Sequence, residues 1–334
     1  MKIVAFGNPL LDTIVLLKDD ALLKKYFLEK DGQKEVSQKE MKALIEDIKE
    51  YEKTFVAGGC AQNTLKVMQW LLDQKCCATI FGAIGNDNEG KTLKQILEKH
   101  GVDTNYVTQR GYITGSTVAL VTGESRSLVA YLGAAEVMSP DDFSSNSQII
   151  SQLQDATLVY MEGFFITKRI EVASAIIDCC NQLNKQFVFN LSGQYLCTDY
   201  TQTVIDFAQK SAIIFGNKRE FQTICLSMNE TCVENFIRNL GKLGKTVVVT
   251  DGANSVICVG DGGKTFVEIE VPPIKSEEIV DTTGAGDAFV AGFLSGYLCK
   301  KPLKTCCELG NYAAEEIIKR RGCTIPEDAP TFNF

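Results

Sequence analysis

Short apolar runs recur at residues 2–6, 77–84, 157–163, 186–192, 212–217, 246–251 and 255–260, and segments of helical periodicity lie between them. Most runs are unalternating and rich in Val, Ile and Phe, as strands buried on both faces are. The helical pattern covers 62–74, 89–100, 169–184, 201–210, 232–243, 287–299 and 303–319. Strand followed by helix, repeated, predicts an α/β fold with a mostly parallel sheet and helices on both sides. Ligands of such sheets gather beyond the carboxyl ends of the strands. A chain of 334 residues with 45% hydrophobic content can fill a core of that size.

Two stretches break the rhythm. Residues 11–18 alternate, with Thr13, Val15 and Leu17 opposite Asp12, Ile14 and Leu16. Residues 116–132 read as a hairpin around Thr122-Gly123-Glu124-Ser125. Strands with one polar side, inserted into an α/β core, predict a small sheet projecting as a lid. Between them Ser37-Gln38-Lys39-Glu40 is a capping box opening a charged helix to about residue 52. The expected division is a core of 1–10, 54–110 and 137–334 and a lid of 11–53 and 111–136.

The chemistry concentrates in Asp281-Thr282-Thr283-Gly284-Ala285-Gly286-Asp287, which runs into Ala288-Phe289-Val290-Ala291-Gly292-Phe293-Leu294. A small-residue turn opens a helix there. Its first N–H groups lack intrahelical acceptors and sit at the positive end of the macrodipole, so they form an anion site. An acid beside an anion site is unfavourable for passive phosphate binding. It is useful if Asp287 takes a proton from a hydroxyl that attacks phosphorus. An isolated Gly-x-Gly before a helix is more often an ordinary loop. Here Ala288, Gly292 and Gly296 form a groove of small residues, and Phe289, Phe293 and Tyr297 an apolar stripe. Such a helix is clamped, which holds its N-terminus rigid.

Other chemistries are excluded. The formal net charge is −8 with no basic block, which argues against a nucleic-acid partner. No apolar run approaches the roughly 20 residues of a membrane span. The chain opens on an expected strand, so no signal peptide is anticipated and the compartment is read as cytoplasmic. The thirteen cysteines are odd in number, lack Cys-x-x-Cys spacing and accompany a single histidine, so they read as small buried hydrophobes. His100, before Gly101, fits a helix end. No Gly-x-Gly-x-x-Gly follows the first strand, and no Walker loop is expected.

Four further segments accompany the glycine turn: Gly7-Asn8-Pro9-Leu10-Leu11-Asp12, Ala57-Gly58-Gly59-Cys60-Ala61-Gln62-Asn63, Gly82-Ala83-Ile84-Gly85-Asn86-Asp87 with Gly90, and Asn217-Lys218-Arg219-Glu220. Each alone is an ordinary turn or cap. In this order they resemble the ribokinase-like (PfkB) carbohydrate and nucleoside kinases, from residue 2 to about 326. Residues 281–294 look like that family's carboxy-terminal signature and 58–63 like its amino-terminal one. Arg126-Ser127-Leu128, Glu162-Gly163-Phe164-Phe165, Asn190-Leu191-Ser192 and Gly322-Cys323-Thr324 are similar to its adenosine-phosphorylating branch in particular.

The resemblance implies a three-layer ribokinase-like core with a β-sheet lid, ATP and Mg²⁺ as cofactors with a monovalent cation left open, and adenosine and ATP as small-molecule substrates. It implies transfer to the ribose 5′-hydroxyl, giving AMP and ADP. Asp287 would be the base, with Gly284, Ala285 and Gly286 as the anion hole and Arg126 as a lid arginine swinging toward the phosphates. Asp12 would grip the 2′- and 3′-hydroxyls, helped by Asn63, the Gly58-Gly59 backbone and neighbouring Cys60, while Asn8 orders the sugar end. A carboxylate accepts two hydroxyl protons at once. Phe164 would stack on the purine, with Leu10, Thr117, Leu128, Ala130 and Leu132 as walls and Tyr195 closing the pocket. Asn217 and Glu220 would tune the magnesium shell through water, and Thr250, Gly252, Thr283 and Asn311 would flank ATP. A monomer is implied.

The chain departs from that branch at several positions. Cys60 replaces a serine, Thr283 an asparagine, Gly193-Gln194-Tyr195 an Ala-Pro-Phe, and Asn311 a histidine. Gln33-Lys34-Glu35 stands where apolar lid residues are expected. Another purine nucleoside or a sugar is the alternative acceptor, and a non-catalytic nucleoside-binding protein the reading of a different class.

Overall fold

The computed structural model describes residues 1–30, 32–73, 75–123 and 125–332, and only the backbone of Gln33 and Arg126. Two sheets organise the chain. The larger has nine strands, ordered β14-β13-β12-β11-β10-β9-β1-β5-β6. In chain order these are β1 (Lys2–Phe6), β5 (Cys77–Gly85), β6 (Val102–Gln109), β9 (Leu158–Glu162), β10 (Gln186–Asn190), β11 (Ile213–Asn217), β12 (Thr246–Thr250), β13 (Val256–Gly260) and β14 (Thr265–Ile269). From β6 to β12 all pairs are parallel, and β13 and β14 close the edge antiparallel.

Ile3, Val4, Ala5 and Phe6 of central β1 have no exposed surface, because alternate residues enter the apolar layers on opposite faces. One layer contains the Cys60–Leu71, Ala285–Leu298 and Leu303–Ile318 helices, the other the Ile170–Gln182 and Thr201–Lys210 helices. The chain runs from β1 toward β5 and β6 on one side and from β9 to β12 on the other. The order thus reverses at the carboxyl end of β1, where a crevice opens.

The smaller sheet is ordered β3-β8-β7-β2-β4, comprising β2 (Leu10–Leu16), β3 (Gln33–Glu35), β4 (Lys53–Gly58), β7 (Gly115–Thr122) and β8 (Ser125–Tyr131). One face, carrying Val15, Val118, Leu120 and Val129, packs with Met41 and Leu44 of the Gln38–Asp47 helix. Ser37 and Glu40 make both halves of the anticipated capping box, though the helix stops at Asp47 rather than near 52. The boundary at 54 needs correction. Strand β4 pairs antiparallel with β2, so residues 54–58 lie in the small sheet. The core's amphipathic helix begins only at Cys60. Glu124 of the expected hairpin turn and Gln74 of the 62–74 helix lie outside the described residues.

Strands β3, β4, β6 and β14 were not anticipated. Beta3, β4, β6 and β14 each form a sheet edge, where one side needs no apolar run. The Ala285–Leu298 helix starts two residues before the expected 287, with Gly284 as its cap. A methyl at Gly292 would lie 2.2 Å from the Leu309 carbonyl oxygen, so the two final helices approach backbone to backbone there. Gly292→Ala should therefore destabilise the fold by about 1–3 kcal/mol, an overpacking cost read as a lowered midpoint in thermal or urea unfolding.

Candidate active site

Gly284 caps its helix in the left-handed region (φ 81°), with Cys323 2.7 Å from where a β-carbon would sit. Both facts demand glycine. The Asp281 carboxylate accepts from the Thr283 N–H at 2.9 Å and the Gly322 N–H at 2.8 Å, tying the turn to the 322–323 segment. The Ala285 N–H turns back to the Thr282 carbonyl at 3.2 Å. Within the first turn this leaves the Gly286 and Asp287 N–H groups without an intrahelical acceptor. A β-carbon on Gly286 would meet nothing within 4 Å, so space lies open above these amides.

Asp287 is buried, and its carboxylate accepts from Asn63 Nδ2 at 2.9 Å. Burial pushes its pKa up to about 6, opposed by hydrogen bonds from Asn63 and Cys60 and by the charge of Lys66; the charge of Asp12 adds to the rise. The Asn63 amide oxygen is buried without a hydrogen-bond partner, an acceptor suited to a hydroxyl. Asp12 lies directly over Gly58, where a β-carbon would stand 2.3 Å from the carboxylate carbon. Only glycine admits that approach.

Pairing sets Asp12 beside Thr117 and Thr117 beside Ala130, with Ala119 beside Leu128. With strand period two, Leu10, Asp12, Thr117, Leu128 and Ala130 share one face, and Leu132 continues the row just past β8. Opposite this face Phe164 stacks on Tyr195, ring centroids 6.0 Å apart. Asn8 joins the two sides. Its N–H donates to Glu162 Oε1 at 3.1 Å, its Nδ2 donates to the Phe164 carbonyl at 3.3 Å, and Arg169 donates to its Oδ1.

Across the crevice, Asn217 and Glu220 form a reciprocal box. The Asn217 N–H and Nδ2 both donate to the Glu220 carboxylate at 2.8 Å, and the Glu220 N–H donates to Asn217 Oδ1 at 2.9 Å. Burial pushes the Glu220 pKa up to about 7. Cys60, Asn217, Glu220, Thr250, Gly286 and Asp287 line one cavity of about 150 Å³. A larger cleft of about 700 Å³ adjoins it in sequence through Lys218 and Asp251, which are ion-paired at 2.9 Å. Gly252 follows that aspartate in a left-handed conformation (φ 60°). Asn311 donates to the carbonyl of Glu270, a residue of the same cleft, at 3.5 Å. The side chain of Arg126 lies outside the described residues.

Among the described residues no group of three or more His, Cys, Asp or Glu could cage a metal. The box of buried Glu220 and exposed Asn217, beside the open amides, fits a magnesium ion that arrives on a nucleotide and keeps its waters.

Sequence reasoning missed several contributors. Glu162 and Arg169 are almost fully buried around Asn8; burial pushes the former up to about 7 and the latter down to about 10. An acid ending an apolar strand run was the available signal for Glu162. Lys66 is buried as well. One exclusion also needs correcting. Gly85-Asn86-Asp87-Asn88-Glu89-Gly90-Lys91-Thr92 does have Walker spacing and links β5 to the Asn88–Lys99 helix. It is not a phosphate cradle. The Asp87 carboxylate already accepts from the Gly90 N–H at 2.9 Å and the Thr114 N–H at 2.6 Å.

A buried acid at a helix start beside bare amides, facing a polar box across a crevice, defines a phosphotransferase site of the ribokinase type. The chain belongs to the family described as pfkB family carbohydrate kinase, whose model matches residues 38–330. It is 32% identical over 340 residues to adenosine kinase 2 of Arabidopsis thaliana, covering 99% of this chain and 97% of that protein. The structure superposes with a TM-score of 0.84 on Schistosoma mansoni adenosine kinase in complex with 2-fluoroadenosine, at 31% identity and 97% of each chain. It superposes with a TM-score of 0.81 on Anopheles gambiae adenosine kinase in complex with P1,P4-di(adenosine-5) tetraphosphate, at 30% identity over 99% of this chain and 98% of that one.

The raised pKa of Asp287 has a stability consequence. The folded state binds an extra proton between the unfolded value near 3.8 and the folded value of about 6, so this contribution is full below about pH 4 and lost as pH rises through 6. Asp287→Asn escapes the loss. In urea unfolding it should match the parent near pH 4 and exceed it by up to about 3 kcal/mol above pH 7.

Proposed function

We propose that this protein transfers the terminal phosphoryl group of ATP to the 5′-hydroxyl of adenosine, producing AMP and ADP. The carrying observation is the convergence of Asp287, the Gly286 amide and Asp12 on one crevice beside the Phe164–Tyr195 platform. The full-length likeness to adenosine kinases supports it, as does the adenosine analogue in one relative and the doubly adenylated polyphosphate in another.

Asp12 and the Asn63 amide oxygen take hydrogen bonds from the ribose hydroxyls, while Asn8 and the Gly58-Gly59 backbone order the sugar. The purine lies against Phe164, with Tyr195 closing one side and the apolar row from Leu10 to Leu132 the other. This fixes the 5′-oxygen near Asp287. As that oxygen attacks the terminal phosphorus, its proton passes to the Asp287 carboxylate and the bond to the ADP oxygen breaks. The charge growing on the transferring group is met by the Gly286 and Asp287 amides at the helix N-terminus. Magnesium, when bound with the nucleotide, neutralises phosphate charge, and the Asn217–Glu220 box would hold its waters. Thr250, Gly252, Thr283 and Asn311 lie along the path of ATP. The small sheet acts as a lid whose closure excludes water.

The enzyme works as a cytoplasmic monomer in this reading. A second acceptor class is favoured by one observation. The Tyr195 pKa is raised first by burial and, among smaller contributions, by the charge of Glu35 of β3, so a lid carboxylate lies within electrostatic reach of the base platform. A polar purine such as guanosine or inosine would meet it.

The test is a panel of nucleosides and ribose with coupled ADP detection. Adenosine should give the highest kcat/KM, and Asp287→Asn should lower kcat at least ~100-fold. Ribose turnover with inert adenosine, or an Asp287→Asn variant as fast as the parent, would overturn the assignment.

A further inference from the structure

Lysine is almost never fully buried without a carboxylate partner. Lys66 is 1% exposed, in the Cys60–Leu71 helix. Its ammonium donates to two carbonyls, that of Ala57 at 2.6 Å and that of Cys323 at 3.2 Å. The first belongs to the residue before Gly58, the strand-ending glycine beneath Asp12. The second belongs to the residue packed against Gly284 under the anion hole. One side chain thus joins the sugar-gripping and phosphoryl-holding parts of the crevice.

The surrounding charge is negative. Burial lowers the Lys66 pKa, and the charges of Asp12 and Asp287 are among those that oppose that shift; Asp287 also acts on Glu162. The thiols of Cys60 and Cys323 are held neutral, their pKa values raised first by burial, and burial likewise raises the Tyr160 phenol. On the far side burial and the charges of Lys66 and Lys99 push the His100 pKa down, which favours its uncharged form. The Lys66 ammonium, held by its two carbonyl bonds, thereby sits among groups that are acidic or neutral.

We propose that Lys66 is a positioning residue for phosphoryl transfer, whose ammonium fastens the Ala57–Gly58 strand end to the Cys323 turn and serves as the internal counter-ion of Asp12 and Asp287. Without that charge, two carboxylates in one desolvated crevice resist ionising together. A protonated Asp287 cannot accept the 5′-hydroxyl proton. The substrate grip and the base therefore depend on a side chain that touches neither the sugar nor the phosphates.

The inference rests on the kinase reading, and its test separates the two. Rates with adenosine and ATP–magnesium are measured from pH 5 to 9 for the parent, Lys66→Gln, Lys66→Met and Lys66→Arg, each with a thermal unfolding curve. Lys66→Gln keeps amide donors for the two carbonyls while losing the charge. In the parent, kcat should fall below about pH 6. In both neutral variants that acidic limb should move up by about one pH unit. Their tenfold deficit at low pH should shrink to under about threefold at pH 9. Lys66→Arg should keep the limb at the parent position.

A limb that stays put in the neutral variants, even with rates lowered evenly across the pH range, overturns the counter-ion role. Failure of both neutral variants to fold also overturns it, since Lys66 would then serve the fold alone. A parent inactive on every acceptor overturns the kinase reading and this inference with it; an active parent with an unmoved limb overturns this inference alone.

Discussion

A carboxylate largely withdrawn from water at the start of a helix is costly, and the molecule is arranged around supporting that cost. Asp287 is compensated by Asn63, by the Cys60 thiol, by the helix dipole and at a distance by Lys66. The three side chains all come from the helix that follows the Gly58-Gly59 junction. That helix in turn packs on the one carrying Asp287 through their shared apolar layer. The close approach at Gly292 fixes the latter against the final helix. Packing in the interior and reactivity at the crevice are consequences of the same contacts.

Much of the fold was legible because buried parallel strands leave a continuous apolar run. Strands β1, β5 and β9 to β13 match expectation to within a residue or two. The edge strands were not legible. β6 carries Asp103, Asn105 and Gln109 among its Val and Tyr residues, and β3 is Gln-Lys-Glu. What places these strands is pairing with a neighbour, which periodicity does not record. For the same reason residues 54–58 read as core. Lys53, Thr54 and Phe55 give no hint that the partner is β2.

At the crevice, the residues found from sequence are those whose identity is forced by local geometry: Gly284 by its backbone angle, Gly58 by the overlying carboxylate, Asn217 and Glu220 by their capping box. Residues whose role arises from distant partners escaped. Glu162 and Arg169 meet at Asn8 from separate elements, and Lys66 spans segments 9 and 257 positions away. The Walker-like Gly85–Thr92 stretch shows the converse, a pattern present in letters whose cradle is filled by its own aspartate. Spacing alone did not separate an occupied loop from an open one.

Gly58 ends the small sheet, Gly59 caps the next helix, and Asn63 sits one turn further on. The junction between the two sheets would therefore also be the floor beneath the sugar in the proposed reaction. A tilt of the small sheet cannot be absorbed in a slack connector elsewhere, since β4 passes into the Asn63 helix with no intervening loop. In the proposed reaction, swinging shut and tightening on the ribose would be one displacement, so a bound sugar would drive the movement that shields it from water.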